Sequence, residues 1–329
     1  MHTLRKDILT ALLLGLVVPG LLLNFGTMVL EEKGTDIPET TAAQETMLET
    51  VSLPVLARRG ETITLEDMDD YLVGVVLAEM PATFEPEALK AQAVAARTYA
   101  RKAWEAGGKH GDGSVCQDPA CCQAYIAPAD YLTQGGTQEG LEKVKAAIAQ
   151  TSGYVLTYEG TLIEATYFSC SGGSTEAALA VWGTDYPYLQ AVESPGEDKA
   201  LHDRDTVSFS LADFQERLGL SLDGAPTGWF REVSYTEGGG VEAMTIGEEH
   251  FTGPQLRALL GLRSTAFSVE AREDTIVITT RGYGHRVGMS QYGADAMAVQ
   301  GKDFQEILDH YYQGAELTRL ENSELEIRN

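Results

Sequence analysis

Tyr71-Leu72-Val73-Gly74-Val75-Val76-Leu77-Ala78-Glu79-Met80-Pro81 is apolar until it meets Glu79, and Pro81 closes it. Apolar residues at Leu65, Met68, Leu72, Val75 and Val76 recur at helical spacing. Thr64 with Asp67 resembles a capping box at the start. Proline disfavours helical geometry in the residue before it, so the helix is predicted to end near Met80. A second helix follows from Pro86, a favoured first helical position. It carries Glu87-Ala88-Leu89-Lys90-Ala91-Gln92-Ala93-Val94-Ala95-Ala96-Arg97-Thr98-Tyr99-Ala100, and Gly107-Gly108 stop it after Ala106. Leu89, Ala93, Ala96, Ala100 and Ala103 form a narrow face of small residues that lets a neighbouring backbone come close.

Further along, helices are predicted over Gly140–Ala149, Leu211–Leu218, Ser290–Val299 and Phe304–Tyr312. Strands are predicted over Tyr154–Tyr158 and Leu162–Tyr167, with the turn Glu159-Gly160 between them. Others are predicted over Phe230–Tyr235, Glu242–Ile246 and Thr275–Thr279. Helices and strands are mixed without regular alternation, which reads as α+β, one large domain over 53–320. Residues 31–52 are polar and aperiodic and read as a linker. Residues 321–329 read as a frayed tail.

The N-terminus carries Arg5 and Lys6, then an apolar run from Ile8 to Leu30. Such a run can span a bilayer core of roughly 30 Å and is longer than the apolar core of a cleaved signal. The expectation is a short cytoplasmic tail over 1–6 and an uncleaved anchor over 7–30. The positive flank before the span, and Glu31 and Glu32 after it, place the rest of the chain outside. The chain of 329 residues is 43% hydrophobic, enough for a buried core, and its formal net charge is −25. That charge sets nucleic acid aside, because binding phosphates needs Lys and Arg to displace counterions.

Four stretches could carry chemistry. Glu79 lies at the end of an apolar helix. A carboxylate there costs free energy unless it is paired or protonated. Burial and the negative end of the helix dipole both raise its pKa, and such a Glu can act as a general acid near neutral pH. Alternatively a cation such as Arg97 satisfies it. His110-x5-Cys116-x4-Cys121-Cys122 places four metal-ligating side chains in a Gly-rich loop. Four such ligands suit a closed tetrahedral zinc site, and a disulfide such as Cys116 to Cys121 fits the spacing equally. Tyr167-Phe168-Ser169-Cys170-Ser171-Gly172-Gly173-Ser174-Thr175 sets hydroxyls on a glycine turn, which suits a sugar, with Tyr167, Ser169, Ser171, Gly172 and Thr175 as candidate contacts. Gly282-Tyr283-Gly284-His285-Arg286-Val287-Gly288-Met289-Ser290-Gln291-Tyr292-Gly293-Ala294 reads as a polar cleft wall, with His285, Ser290, Gln291 and Tyr292 as candidates. An ordinary Ser/Gly loop and a satisfied core histidine are the bland readings of these two stretches. No Gly-x-Ser-x-Gly elbow is present.

Taken together, the two quoted helices, Ser171-Gly172-Gly173-x-Thr175-Glu176, Tyr186-Pro187-Tyr188-Leu189, Leu260-Gly261-Leu262-Arg263-Ser264 and the 284–294 stretch resemble the family of stage II sporulation protein D and the amidase enhancers. The resemblance runs from about residue 55 to 318. It implies a lytic transglycosylase that cuts between N-acetylmuramic acid and N-acetylglucosamine in glycan strands stripped of stem peptides, with Glu79 at the catalytic position and Arg97 among the substrate contacts. It implies zinc held by His110, Cys116, Cys121 and Cys122, although the family pattern has His where this chain has Cys121. Arg286 stands where the family usually has Gly and is expected to narrow or charge the cleft. The implied partners are the glycan strands, a cell-wall amidase of the engulfment machinery, and membrane proteins of the sporulating cell. Two other readings follow from the same residues: a glycan-binding activator of an amidase with no catalysis of its own, and a metal-dependent hydrolase.

Overall fold

Strand β1 (Leu53–Leu56) pairs antiparallel with β2 (Thr62–Leu65). The capped helix start expected at Thr64 is therefore a strand, in keeping with its β-branched Thr62, Ile63 and Thr64. Helix α1 begins later (Met68–Glu79), with Asp69 and Asp70 in its first turn, where the helix dipole favours them. It ends at Glu79, as Pro81 requires. The computed structural model describes residues 53–56, 62–65, 68–107, 110, 115–198 and 200–320. The expected tail over 1–6, the anchor over 7–30, the linker and the C-terminal tail over 321–329 lie outside the described residues. Among the described residues no helix is long and apolar enough to cross a membrane.

Helix α2 (Pro86–Glu105) is the central member of the first core. Its alanines at 88, 91, 93, 95, 96 and 100 are all fully buried. Small side chains on every face, rather than on one stripe, let several elements close on it. It packs against α1 and then, after the short strand β3 (Val115–Cys116) and helix α3 (Pro128–Thr133), against α4 (Gln138–Gln150) and strand β4 (Tyr154–Tyr158). Arg97 fixes this junction. It is 1% exposed, bonds Asp69 on α1 at 2.8 Å, and donates to the carbonyl oxygens of Thr151 and Tyr154.

The single strand expected over Leu162–Tyr167 divides in two. Strand β5 (Thr161–Leu162) stays with β4, while β6 (Tyr167–Phe168) leaves to pair elsewhere, before helix α5 (Ala178–Trp182). The chain then enters a lobe with its own core. Strand β7 (Arg204–Ser210) leads to α6 (Leu211–Leu218), strands β8 (Phe230–Tyr235), β9 (Val241–Ile246) and β10 (Glu249–Thr252), helix α7 (Gly253–Leu260), and strands β11 (Phe267–Ala271) and β12 (Thr275–Arg281). Phe209, Phe214, Trp229, Met244, Leu256, Ile276 and Ile278 fill its interior. Entry and exit strands pair antiparallel, Arg204 opposite Arg281, so the lobe is an insertion that returns to its starting point. Strand β13 (Met289–Ser290), helices α8 (Gln291–Val299) and α9 (Phe304–Tyr311), and strand β14 (Glu316–Arg319) complete the first core, β14 lying antiparallel to β4. Helices and small, mostly antiparallel sheets coexist without βαβ repetition, which is an α+β arrangement.

Arg286 joins the two cores and does not line a cleft with free charge. Its guanidinium is ion-paired with Glu176 at 2.9 Å and donates to the carbonyls of Ser171, Ser174 and, in the inserted lobe, Gly238. It is 2% exposed, and its φ is 65°, left-handed backbone that favours glycine. The hydrogen bonds offset that strain. Replacing Arg286 with Ala strands Glu176 in the interior and should lower unfolding free energy by about 3–5 kcal/mol. Arg286→Gly should lose about 1 kcal/mol less, because glycine adopts this φ freely. Urea unfolding of the two variants beside the parent measures both.

Candidate active site

Glu79 ends α1 and is not locked to a guanidinium. Arg97, the cation expected either to neutralise it or to meet substrate, is buried among Asp69 and backbone carbonyls and does neither. The correction has a simple cause: Arg97 points into the junction of α1, α2 and α4, where three carbonyls need donors. Glu79 instead accepts the backbone N–H of Ala124 at Oε1, 2.8 Å away. Burial raises its pKa above the ordinary carboxyl value, and the Ala124 N–H, followed by the nearby Gln291 side-chain amide, lowers it by less. Among the described residues, no other carboxylate and no cation is a cause of that shift.

A row of polar groups stands beside this carboxyl. Tyr71 donates to Gln123 Oε1 at 3.1 Å, and Gln123 Nε2 donates to the Tyr167 hydroxyl at 2.8 Å. Burial first, and then charges that include Glu79, raise both phenols well above their usual range, so both remain protonated donors. Gln291 is the first residue of α8 and is buried, and its Nε2 has no full hydrogen bond within the protein. An amide held out of water beside a reactive carboxyl, with a donor to spare, is suited to a substrate oxygen. Tyr292 is half-buried and packs edge-on against Phe84, with ring centroids 4.9 Å apart.

Segment 123–126 reaches Glu79 because Gly74 has no side chain. A Cβ there would lie 2.2 Å from the ring of Tyr125. The Ile126 N–H also donates to the Gly74 carbonyl. Immediately before this segment lie the four potential ligands. The Nε2 of His110 is 3.8 Å from the Cys121 sulfur and 3.7 Å from that of Cys122, and those two sulfurs are 3.9 Å apart. With Cys116 included, all four ligand atoms lie within 4.8 Å of one another. A tetrahedral ion with metal–sulfur bonds of about 2.3 Å has corners about 3.8 Å apart, so the donor set fits one. The four cysteines are free thiols, so no disulfide closes this loop. Adjacent Cys121 and Cys122 reach one point because both backbone N–H groups bond the Asp118 carbonyl in a tight turn. Burial, with the neighbouring Cys116 and Cys121, pushes the Cys122 thiol up to about 12. A cation would supply the charge needed for thiolates to gather there.

The third and fourth stretches come together through the parallel pairing of β6 with β13 and the bridge from Cys170 to Tyr283. Several expected sugar contacts are turned inward instead. Glu197, buried, accepts hydrogen bonds from the Ser171 N–H and hydroxyl, the Gly172 N–H, and the hydroxyls of Ser194 and Ser290. Thr175 is buried against the carbonyl and N–H of Val192. Ser169 lends its carbonyl to the Tyr292 N–H. His285 accepts from the Val287 N–H at Nδ1 and bonds the Tyr167 backbone, and burial with the Arg257 charge lowers it to about 4. It is a neutral structural ring at neutral pH, unfit as a base for a serine. Of the candidates, Glu79, Tyr167, Gln291 and the four potential ligands form one neighbourhood. Ser171, Gly172, Thr175, His285 and Ser290 build its frame. Gln123, Ala124, Tyr71 and Glu197 were not singled out in the sequence. Gln123 and Ala124 had a signal, since they directly follow the cysteine pair, whereas Glu197 sits in an unremarkable loop.

Tyr167 and Gln291 come from later in the chain, whereas the raised carboxyl of Glu79, the His/Cys cluster and the 123–126 segment between them lie within residues 58–158. Those same residues match the family described as "SpoIID: Stage II sporulation protein". The chain is 40% identical to Stage II sporulation protein D of Bacillus subtilis (strain 168) over 85% of this chain and 83% of that one. It is likewise 40% identical to the protein of the same name from Bacillus amyloliquefaciens, over 87% and 84%. A protein named "Amidase enhancer" from Bacillus subtilis (strain 168) is 30% identical over 75% of this chain and 40% of that longer one. The chain belongs to the stage II sporulation protein D family.

The cluster makes a prediction. A strong chelator should lower the thermal midpoint by several degrees, and zinc rather than magnesium should restore it, since magnesium prefers oxygen ligands. Differential scanning calorimetry of the chain with and without each ion gives the answer; an unchanged midpoint would count against metal binding.

Proposed function

We propose that this chain cuts the glycan strands of peptidoglycan as a lytic transglycosylase, at the bond between N-acetylmuramic acid and N-acetylglucosamine. The observation that supports this most is the solitary state of Glu79. Ordinary glycosidases use two carboxylates, one as acid and one as base or nucleophile. Among the described residues no second carboxylate acts on Glu79, and its pKa is raised. One carboxyl suffices when the sugar supplies its own nucleophile. Glu79 gives its proton to the glycosidic oxygen as the bond from C1 breaks. Positive charge develops on the ring. The 6-hydroxyl of the same sugar then attacks C1 and returns its proton to Glu79, leaving a 1,6-anhydro end. Gln291 donates to a substrate oxygen, and the Ala124 N–H holds the ionised carboxylate after the first transfer.

His110, Cys116, Cys121 and Cys122 would hold zinc. Four protein ligands close its coordination, so its contribution is structural, tying the loop that delivers Gln123 and Ala124. A metal-dependent hydrolase needs an open coordination position and fits less well. The reading also places the chain at the membrane through residues 7–30, with the enzymatic domain outside the cytoplasm, after an amidase that strips the strands. The relative named amidase enhancer favours a second reading, a glycan-binding activator of such an amidase without catalysis.

Glu79→Gln tests both. On the proposed reading it abolishes release of anhydro-ended fragments from stripped glycan, a loss of at least about a thousandfold, by mass spectrometry. Fragments released at the parent rate would refute the assignment, and a parent chain that releases none favours the activator. The variant should also be the more stable protein near neutral pH. A carboxyl whose folded pKa is raised contributes stability in full below its unfolded pKa, and loses it as pH rises through the folded value. Gln removes that loss. The advantage should therefore appear above the raised pKa of Glu79 and vanish at acid pH, as thermal midpoints measured from pH 4 to 8 will show.

A further inference from the structure

A cavity of about 540 Å³ opens on the inserted lobe, and none of the polar row beside Glu79 lines it. Its lining includes three arginines and no carboxylate, in a chain of net charge −25. Arg286 is consumed by Glu176 and backbone carbonyls. Arg204 and Arg281 are different. They are directly opposite each other on β7 and β12, both exposed, and among the described residues neither has an ion-pair partner. Like charges facing across antiparallel strands destabilise the pair unless something neutralises them.

The pleat explains what else is presented there. Val207, Phe209, Ile276 and Ile278 turn into the lobe's core, so Arg204, Thr206, Thr279 and Arg281 share the opposite face with Ser268, which pairs with Thr279. Tyr235 stands at the cavity, 60% exposed. The Arg281 Nη2 lies 3.6 Å from where a Cβ on Gly173 would be, so the glycine turn leaves room for the guanidinium. An exposed phenol ring, a row of hydroxyls and a guanidinium pair form a site for a sugar that carries a carboxylate.

We infer that Arg204 and Arg281 bind the lactyl carboxylate of a muramic acid residue in the glycan strand, at a subsite beyond the cutting centre. This rests on the proposed glycan substrate. In an intact strand that carboxyl is tied up as the amide of the stem peptide, neutral and bulky. Stripping frees one carboxylate per disaccharide. The arginine pair therefore reads whether the peptide has been removed, and the strand it selects is the product of an amide-cleaving reaction. Gly172, Gly173 and Ser174 line this cavity, while the N–H groups of Ser171 and Gly172 bond Glu197, so one turn serves both the cavity and the frame of the site.

The test is binding, kept separate from cutting. The full chain carrying Glu79→Gln is titrated with muramyl oligosaccharide bearing free lactyl carboxylates, and with the same oligosaccharide after carbodiimide conversion to methyl amides. Each is repeated with Arg204→Gln and Arg281→Gln added together. The amidated oligosaccharide should bind the Glu79→Gln chain at least roughly tenfold more weakly, as expected for loss of charge-assisted hydrogen bonds. The double substitution should weaken binding of the free carboxylate form by as much and erase the difference between the two ligands. Equal affinity for both ligands before the arginines are changed overturns the inference. So does competition by inorganic phosphate with no effect of amidation, which assigns the pair to a free anion. If the Glu79→Gln chain discriminates the ligands while the parent chain, with Glu79 intact, never cuts them, the enzymatic reading is sunk and this one stands.

Discussion

Five hydrogen bonds converge on one carboxylate in the interior, that of Glu197, and the frame of the site depends on them. They draw together the glycine turn after β6, the loop before α6's lobe, and the start of α8. A buried carboxylate with unfilled lone pairs would be costly, and here about every acceptor position is filled. The arrangement leaves no room for a side chain at Gly293, where a Cβ would lie 2.1 Å from the Tyr311 hydroxyl and 2.2 Å from that of Ser194. Ser290, held by Glu197, also caps α8 by accepting the Gly293 N–H. Gln291, the next residue, is thereby aimed at Glu79.

Glu79 shows the opposite treatment of a carboxyl. Among the described residues it has one firm backbone donor, a nearby amide and no cation, and burial prevails, raising its pKa. The contrast is chemical as well as structural. A carboxylate that accepts from five donors holds loops in place and has no acceptor position left for a substrate. A carboxyl left with few donors is available for proton transfer. On the proposed reading the chain separates the two uses, framework and reactivity, between two glutamates, of which only Glu79 stands out in the sequence.

That separation explains what could be read beforehand. Elements set by local rules were legible. Leu211–Leu218 and Phe230–Tyr235 fall where periodicity and turn residues put them, and Pro81 ends α1 as its ring requires. Helix α7 was not among the expected helices: its signal, Thr252, Pro254 and Gln255, is short and lies among strands. Strand β7 escaped because its pairing partner β12 lies tens of residues further along the chain, and β11, joined to β12 across a three-residue turn, is short and half-exposed. At the site, the residue types were visible but not their directions. Arg97, Ser171, Thr175 and His285 have the chemistry of sugar contacts, and tertiary packing spends it on carbonyls and backbone N–H groups. Arg286 reads as an intrusion into a cleft, and only its left-handed backbone shows that an arginine has taken a place fit for glycine.

The position of the His/Cys cluster bears on why a centre with one working carboxyl would need a metal at all. Between Cys116 and Pro128 the chain has no helix or strand, yet it supplies both the Ala124 donor and the Gln123 bridge between two phenols. An irregular segment of that length has little of its own to resist local opening. Its downstream end is fastened to α1 by Ile126 on Gly74 and by the stacking of Tyr125 on Tyr71. Its upstream end has the four ligands. On the proposed reading, a metal there closes the second fastening, and the segment is pinned on both sides of the two residues that matter. The ion then acts through geometry: remove it, and what is lost first is the fixed place of a backbone N–H beside a carboxyl.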